Sequence, residues 1–155
     1  VYKRQMHSRE TAGLMGVRST GNGRAQSPGS RVYVRMSNTF IAPGDWDPHE
    51  IIEDTRRGVY VVKAMGGMED PVGGGFQVSA LKAWLIEKGE LKKLLRAVSI
   101  SGKALDILKR VDAVGKDFTL TPGTCGKGYS GDIVPVTTGG PTVRVSEMIV
   151  GVGGR

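Results

Sequence analysis

The chain has 155 residues, one cysteine, 24 glycines and a formal net charge of +7. A single cysteine excludes an internal disulfide, no apolar run approaches the ~20 residues of a membrane span, and the length suits one domain with its own core, so a soluble cytoplasmic protein is expected. The glycines are spread through hydrophobic segments, which argues for many turns between short strands and against disorder.

Residues 1–35 hold seven Lys and Arg against the single acid Glu10, a balance of +6, while the remaining 120 residues carry only +1. A basic arm of this kind can bind nucleic acid, but it lacks interleaved aromatics and any reading motif, so nucleic acid is not an expected partner. Residues 1–30 therefore read as a basic, loop-rich leading segment. Residues 1–5 show no capping or core pattern and are not taken as native. Residues 6–28 read as loop with a short helical turn near 10–15. Gly21-Asn22-Gly23-Arg24 has a Gly-x-Gly look, but no strand leads into it and no helix pattern follows, so a flexible linker is expected there.

Residues 31–38 alternate, with Val32, Val34 and Met36 on one face and Arg31, Tyr33, Arg35 and Ser37 on the other, which predicts a half-buried strand. At its polar end Arg35 and Asn38 offer a guanidinium and an amide, groups that can fix a peptide backbone or a carboxylate beside a cleft. A solvated strand face is the ordinary alternative. After Pro43-Gly44-Asp45 breaks the chain, Asp47 as N-cap, Pro48 at the first helical position and Glu50 in the first turn predict a helix over residues 48–57, stopped by Gly58. His49-Glu50 does not complete a zinc-protease helix, because Glu53 and Asp54 stand where the second His would be.

Residues 58–65 predict a strand closing at Gly66-Gly67, and the glycine-dense turn after Asp70-Pro71 returns it to a hairpin partner over 76–84. Residues 85–91 read as a turn with Gly89 at positive φ, and 94–100 as a strand. Ala104, Leu105, Leu108, Val111 and Val114 stand at helical spacing, predicting a helix over 102–114 that covers one face of the sheet.

The last third is organised around Gly123-Thr124-Cys125-Gly126-Lys127-Gly128-Tyr129. Glycines on both sides of the only cysteine predict a thiol presented on a tight loop. Such a thiol can be a zinc ligand, a nucleophile or a small buried hydrophobe, the last being the commonest state of an isolated cysteine. Residues 133–136 read as a strand before the Gly139-Gly140-Pro141 turn, and 143–150 alternate. The fold class expected is α+β and mostly β, a mixed or antiparallel sheet, barrel-like or sandwich, with two short helices near 48–57 and 102–114.

Several blocks in order carry a resemblance: Leu14-Met15-Gly16 with Thr20-Gly21-Asn22-Gly23-Arg24, Arg35-Met36-Ser37-Asn38-Thr39-Phe40-Ile41, Glu50-Ile51-Ile52 with Gly58-Val59-Tyr60, Leu85-Ile86-Glu87-Lys88-Gly89, Val114-Gly115-Lys116-Asp117, Cys125-Gly126-Lys127 and Gly140-Pro141-Thr142. With these blocks the chain resembles the carboxyl-terminal domain of the TldD/PmbA family of zinc metallopeptidases, which also carries the older description of modulator of DNA gyrase. That resemblance implies that residues 31–155 form the β-rich domain and that Cys125 matches the cysteine ligand of the metal-binding TldD type. It further implies a zinc ion with two histidines of a His-Glu-x-x-x-His helix upstream, since His7 and His49 lie in no such motif, and no catalytic residue in this chain. By the same resemblance the substrate is an unstructured peptide bound near Arg35, Asn38, Gly139, Gly140 and Pro141. The implied partner is a homologous PmbA/TldE-type subunit or a second copy. Gly128-Tyr129-Ser130-Gly131 departs from the family's usual turn. A non-catalytic PmbA-like module that binds peptide or partner is the alternative.

Overall fold

The computed structural model describes residues 6–127 and 131–152. In chain order, α1 (Arg9–Met15) is followed by β1 (Gly23–Arg24), β2 (Tyr33–Val34) and β3 (Asn38–Phe40). Next come α2 (Pro48–Glu53), the long strands β4 (Arg57–Glu69) and β5 (Gly75–Glu87), then β6 (Glu90–Leu95) and β7 (Val98–Lys103). The rest is α3 (Ala104–Lys109), β8 (Val111–Val114), β9 (Thr119–Lys127), β10 (Asp132–Gly140), β11 (Val143–Val145) and β12 (Ile149–Val152). The chain is α+β and mostly β, as its punctuation by glycine predicts, and its sheets do not close into a barrel. Two compact units form, one from residues 6–42 with Thr119–Gly140 and the other from Pro43–Phe118 with residues 141–152. The reading of residues 1–5 falls outside the described residues.

In the first unit the short helical turn expected near residues 10–15 is a capped helix, and the stretch expected to be linker at 21–24 ends in β1. The Ser8 hydroxyl accepts the Thr11 N–H at 3.1 Å, the Thr11 hydroxyl accepts the Ser8 N–H at 2.9 Å, and Gly16 ends α1 at φ 64°. This reciprocal pair satisfies two of the donors that a helix start leaves open. β1 pairs antiparallel with β2, and a three-stranded mixed sheet runs in the order β3-β10-β9, with β3 parallel to β10 and β9 antiparallel to it. Cys125 stands opposite Val134 in this ladder, so it belongs to the edge strand β9 and not to a tight loop. Neither Gly123 nor Gly126 takes a left-handed φ; the positive φ falls on Gly131, after the strand. An unbroken register from Lys127↔Asp132 to Thr119↔Gly140 satisfies the backbone as a ladder, which outweighs the local turn preference of the glycines.

In the second unit β4, β5, β7 and β12 form an antiparallel sheet in the order β12-β7-β5-β4, with β6 also paired to β5. Its core is Ala80, Ala83 and Val98, packed by Val59, Val61 and Leu95. β4 continues past Gly66-Gly67 after register shifts between Val61 and Gly66, and the turn near Gly89 shortens to Lys88-Gly89, because Leu85–Glu87 and Glu90-Leu91 are strand. Residues 94–100 divide between β6 and β7 at Arg96-Ala97, where Ala97 takes φ 49°.

Both expected helices are shorter than predicted. α2 ends at Glu53, where the Thr55 hydroxyl donates back to the Ile51 carbonyl at 2.6 Å and Arg57 already pairs with Glu87; Gly58 lies inside β4. α3 ends at Lys109 and fully buries none of its side chains, with Leu105 and Leu108 exposed and only the half-buried Ile107 set against Gly102 of β7. Val111 and Val114 belong to β8, which pairs antiparallel with β11. The apolar stripe was a helix turn and a strand in succession, and the β-branched residues took the strand.

The turn at Gly89 has no room for a side chain. Gly89 takes φ 78°, and a Cβ there would lie 2.5 Å from the Glu53 carbonyl oxygen and 3.1 Å from its Cα. Gly89→Ala is therefore expected to destabilise the domain by more than about 1 kcal/mol, read as a lower urea midpoint, whereas Gly66→Ala, where the space is open, moves it less.

Candidate functional site

Cys125 is free and half-buried on β9. Cross-strand pairs share a face, so its side chain lies with those of Val134 and Val136, both buried. The strand is tied to the leading segment by side chains that donate to backbone carbonyls. Arg35 Nη2 donates to the Cys125 carbonyl, and to that of Asp132 at 2.6 Å. Lys127 Nζ donates to the Val34 carbonyl at 2.9 Å. Arg24 Nη1 reaches the Met36 carbonyl at 2.7 Å, Arg24 Nη2 reaches that of Pro135 at 2.8 Å, and the Ile133 N–H donates to Gln26 Oε1 at 2.6 Å.

The alternation expected for residues 31–38 holds in part, with Val34 and Met36 half-buried and Arg31 and Ser37 exposed. It fails at two positions: Val32 is 59 % exposed and Arg35 only 1 %, its guanidinium turned to the Cys125 and Asp132 carbonyls. Only Tyr33 and Val34, and then Asn38 onward, are paired strand. Arg24, Gln26 and Lys127 were missed in the sequence; Arg24 stood in a stretch dismissed as linker, and nothing in a sequence marks which backbone carbonyl a long side chain will reach.

The other predicted site residues take different places. Asn38 pairs with Thr137 across the parallel ladder, and Thr137 is one residue out of phase with Val134 and Val136. The Asn38 amide and the Cys125 thiol therefore leave opposite faces of the sheet. Gly139 lies within β10 between Phe40 and Leu120, and a Cβ on it would fall on the Thr119 carbonyl oxygen, so its bareness sets the spacing of β9 and β10. Gly140 ends β10, with Ile41 against it. Pro141 begins the stretch in the second unit where Thr142 donates its N–H and hydroxyl to Asp117 at 2.9 and 2.7 Å. The departure at residues 128–130 lies outside the described residues.

Among the described residues no three of His, Cys, Asp and Glu stand close enough to hold a metal ion. His49 is an exposed helix residue. His7 is buried in the first unit, with its main chain tied to Thr20 and Asn22 and its Nδ1 without a hydrogen-bond partner. Of the described donors Cys125, a soft sulfur, is of the type that suits zinc, and it stands in no group of three.

A family model described as PmbA/TldA metallopeptidase C-terminal domain matches residues 1–152. The chain belongs to the PmbA/TldD family. It is 51 % identical over 149 residues to a metalloprotease of Methanocaldococcus jannaschii, covering 96 % of this chain and 32 % of that protein. It is 35 % identical over 151 residues to the zinc metalloprotease TldD homolog of Saccharolobus solfataricus, covering 97 % and 33 %. Among solved structures, a Thermotoga maritima protein named as a candidate modulator of a DNA gyrase superposes with a TM-score of 0.69 at 28 % identity, over 94 % of this chain and 30 % of that one. TldE of Thermococcus kodakarensis shares the fold, with a TM-score of 0.69 at 24 % identity over 96 % and 31 %. The chain spans about a third of the length of the curated relatives it matches.

The turn that follows β10 in this PmbA/TldD domain depends on charge. Burial works to raise the Asp117 carboxyl, but the hydrogen bonds from Thr142 outweigh it and hold Asp117 below the ordinary carboxylate range. Asp47 is lowered by its bond to the Lys116 ammonium at 2.9 Å, helped by the His49 N–H. A depressed folded-state pKa contributes stability that is complete above the unfolded value and is lost as pH falls through the folded one. The melting-temperature difference between the parent protein and Asp117→Asn is expected to be largest near neutrality and to shrink as pH drops below about 4, measured by thermal unfolding from pH 7 to 3.

Proposed function

We propose that this chain is the C-terminal domain of a TldD-like zinc metallopeptidase that hydrolyses unstructured peptides, and that it contributes Cys125 as one ligand to the metal. The observation that carries this reading is the placement of Cys125: a half-buried thiol on a strand whose backbone is anchored by Arg35. The relatives' names support it, since metalloprotease is common to both relatives and zinc is named for the Saccharolobus protein. The remaining ligands are two histidines from the part of the protein outside this chain. Zinc in such a site supplies Lewis acidity toward a peptide carbonyl and activation of water.

The peptide docks as an extended strand, for which β9 offers an edge with no strand neighbour on its outer side among the described residues. Arg35, Asn38, Gly139, Gly140 and Pro141 then divide into two groups. Arg35 and Gly139 fix the position of β9, while Asn38, on β3 at the other edge of the sheet and on the face opposite the thiol, Gly140 at the end of β10 and Pro141 in the second unit take no part in docking on that edge. The active assembly pairs this subunit with a homologous TldE-type subunit or with a second copy, in the cytoplasm, where a lone thiol stays reduced. No helix among the described residues is long and apolar enough to cross a membrane.

Zinc content and peptide cleavage of the full-length protein with Cys125→Ala test the reading. One zinc per parent chain, lost together with cleavage in the variant, is the expected result. Zinc and cleavage that are indifferent to Cys125 would return the thiol to a packing role and leave a non-catalytic, PmbA-like binding module.

A further inference from the structure

We propose that Arg35 is the positioning residue for Cys125, a role that rests on the thiol's being a metal ligand. Arg35 is among the largest fully buried side chains of the described residues. A single nitrogen, Nη2, bridges the Cys125 carbonyl on β9 and the Asp132 carbonyl on β10, and so joins the two strands. Nε and Nη1 are buried without a hydrogen-bond partner in the structure. A guanidinium stays charged at any physiological pH, and burying it with two neutral acceptors and no carboxylate is costly.

Packing alone would be met at lower cost by an apolar side chain of similar volume, because replacing a buried charge with a hydrophobe is often neutral or stabilising. What a hydrophobe cannot do is hold the carbonyl of the cysteine itself. Arg24 and Lys127 reinforce the same geometry from the exposed side, at Pro135 and Val34. The Cys125 backbone is therefore held by this chain's own side chains, and a thiol so held approaches a metal with its direction set.

The test compares the full-length protein with Arg35→Met, Arg35→Lys and, as blank for other thiols, Cys125→Ala. Zinc affinity is read by competition with a chromophoric chelator, and Cys125 is read by its rate of modification with a disulfide reagent in metal-stripped protein. Arg35→Met is expected to keep the melting temperature near that of the parent, to weaken zinc by about tenfold and to speed thiol modification, with Arg35→Lys recovering part of both. A folded Arg35→Met with parental zinc affinity and parental thiol rate overturns the proposal. If Arg35→Met does not fold, amide hydrogen exchange in Arg35→Lys decides: faster exchange at residues 123–127 and 132–134 than in the parent supports the role, and parental exchange rejects it. Should Cys125→Ala keep its zinc, the ligand reading fails by itself, while the thiol-modification rate still reports whether Arg35 holds the strand.

Discussion

Strands at the margin of a small sheet leave carbonyls that a ladder does not satisfy, and in the first unit the side chains of residues 24–35 supply the donors. Arg24 and Arg35 reach carbonyls on the hairpin of β9 and β10, Gln26 accepts from it, and Lys127 returns the contact from β9 to Val34. These bonds join residues 90 or more positions apart in sequence. In the same unit β3 pairs parallel with β10, strands that no short turn can join. The position of Cys125 follows from the same bonds.

The charge of the leading segment has a different meaning in this light. A balance of +6 over residues 1–35 invites a reading in terms of an anionic partner. Two of its arginines are taken up by main-chain carbonyls, and Arg31 lies over the Tyr33 ring at 5.5 Å from its centroid. Part of the basic excess thus serves as internal hydrogen-bond donors. In the second unit Arg144 is used differently, set between Asp54 and Asp112 at 2.7 and 2.8 Å and over Trp46. There the charge is balanced by carboxylates, and their hydrogen bonds raise the arginine's pKa further.

What could be read from the sequence was whatever local chemistry decides. Asp47 with Pro48 and Glu50 marked the start of α2, and the glycines between Asp70 and Phe76 marked a hairpin, because caps and turns use nearby groups. The ends of the helices were not legible, since Arg57 and Val111 answered to strand partners far along the chain, Glu87 and Val145. The glycines around Cys125 suggested a loop, yet a nine-pair ladder with β10 straightened them. Arg35 was hardest of all. Alternation put it in water, and only the tertiary fold reveals the two carbonyls that draw it inside. Cys125 itself was legible as the residue of interest because it is the only thiol; its family blocks, not its spacing, indicated a metal.

The division of the chain into units has a consequence in time. The first unit is made of two pieces, residues 6–42 and Thr119–Gly140, with the second unit written between them. Arg35 leaves the ribosome 90 residues before Cys125. At synthesis rates of roughly 5–20 residues per second, the arginine waits on the order of 5–20 seconds for the strand it anchors. During that interval the second unit has all but its last short segment available and can begin to form, while the first cannot close. The cysteine thus arrives late on a nascent chain, to a place that its anchor has been unable to complete without it.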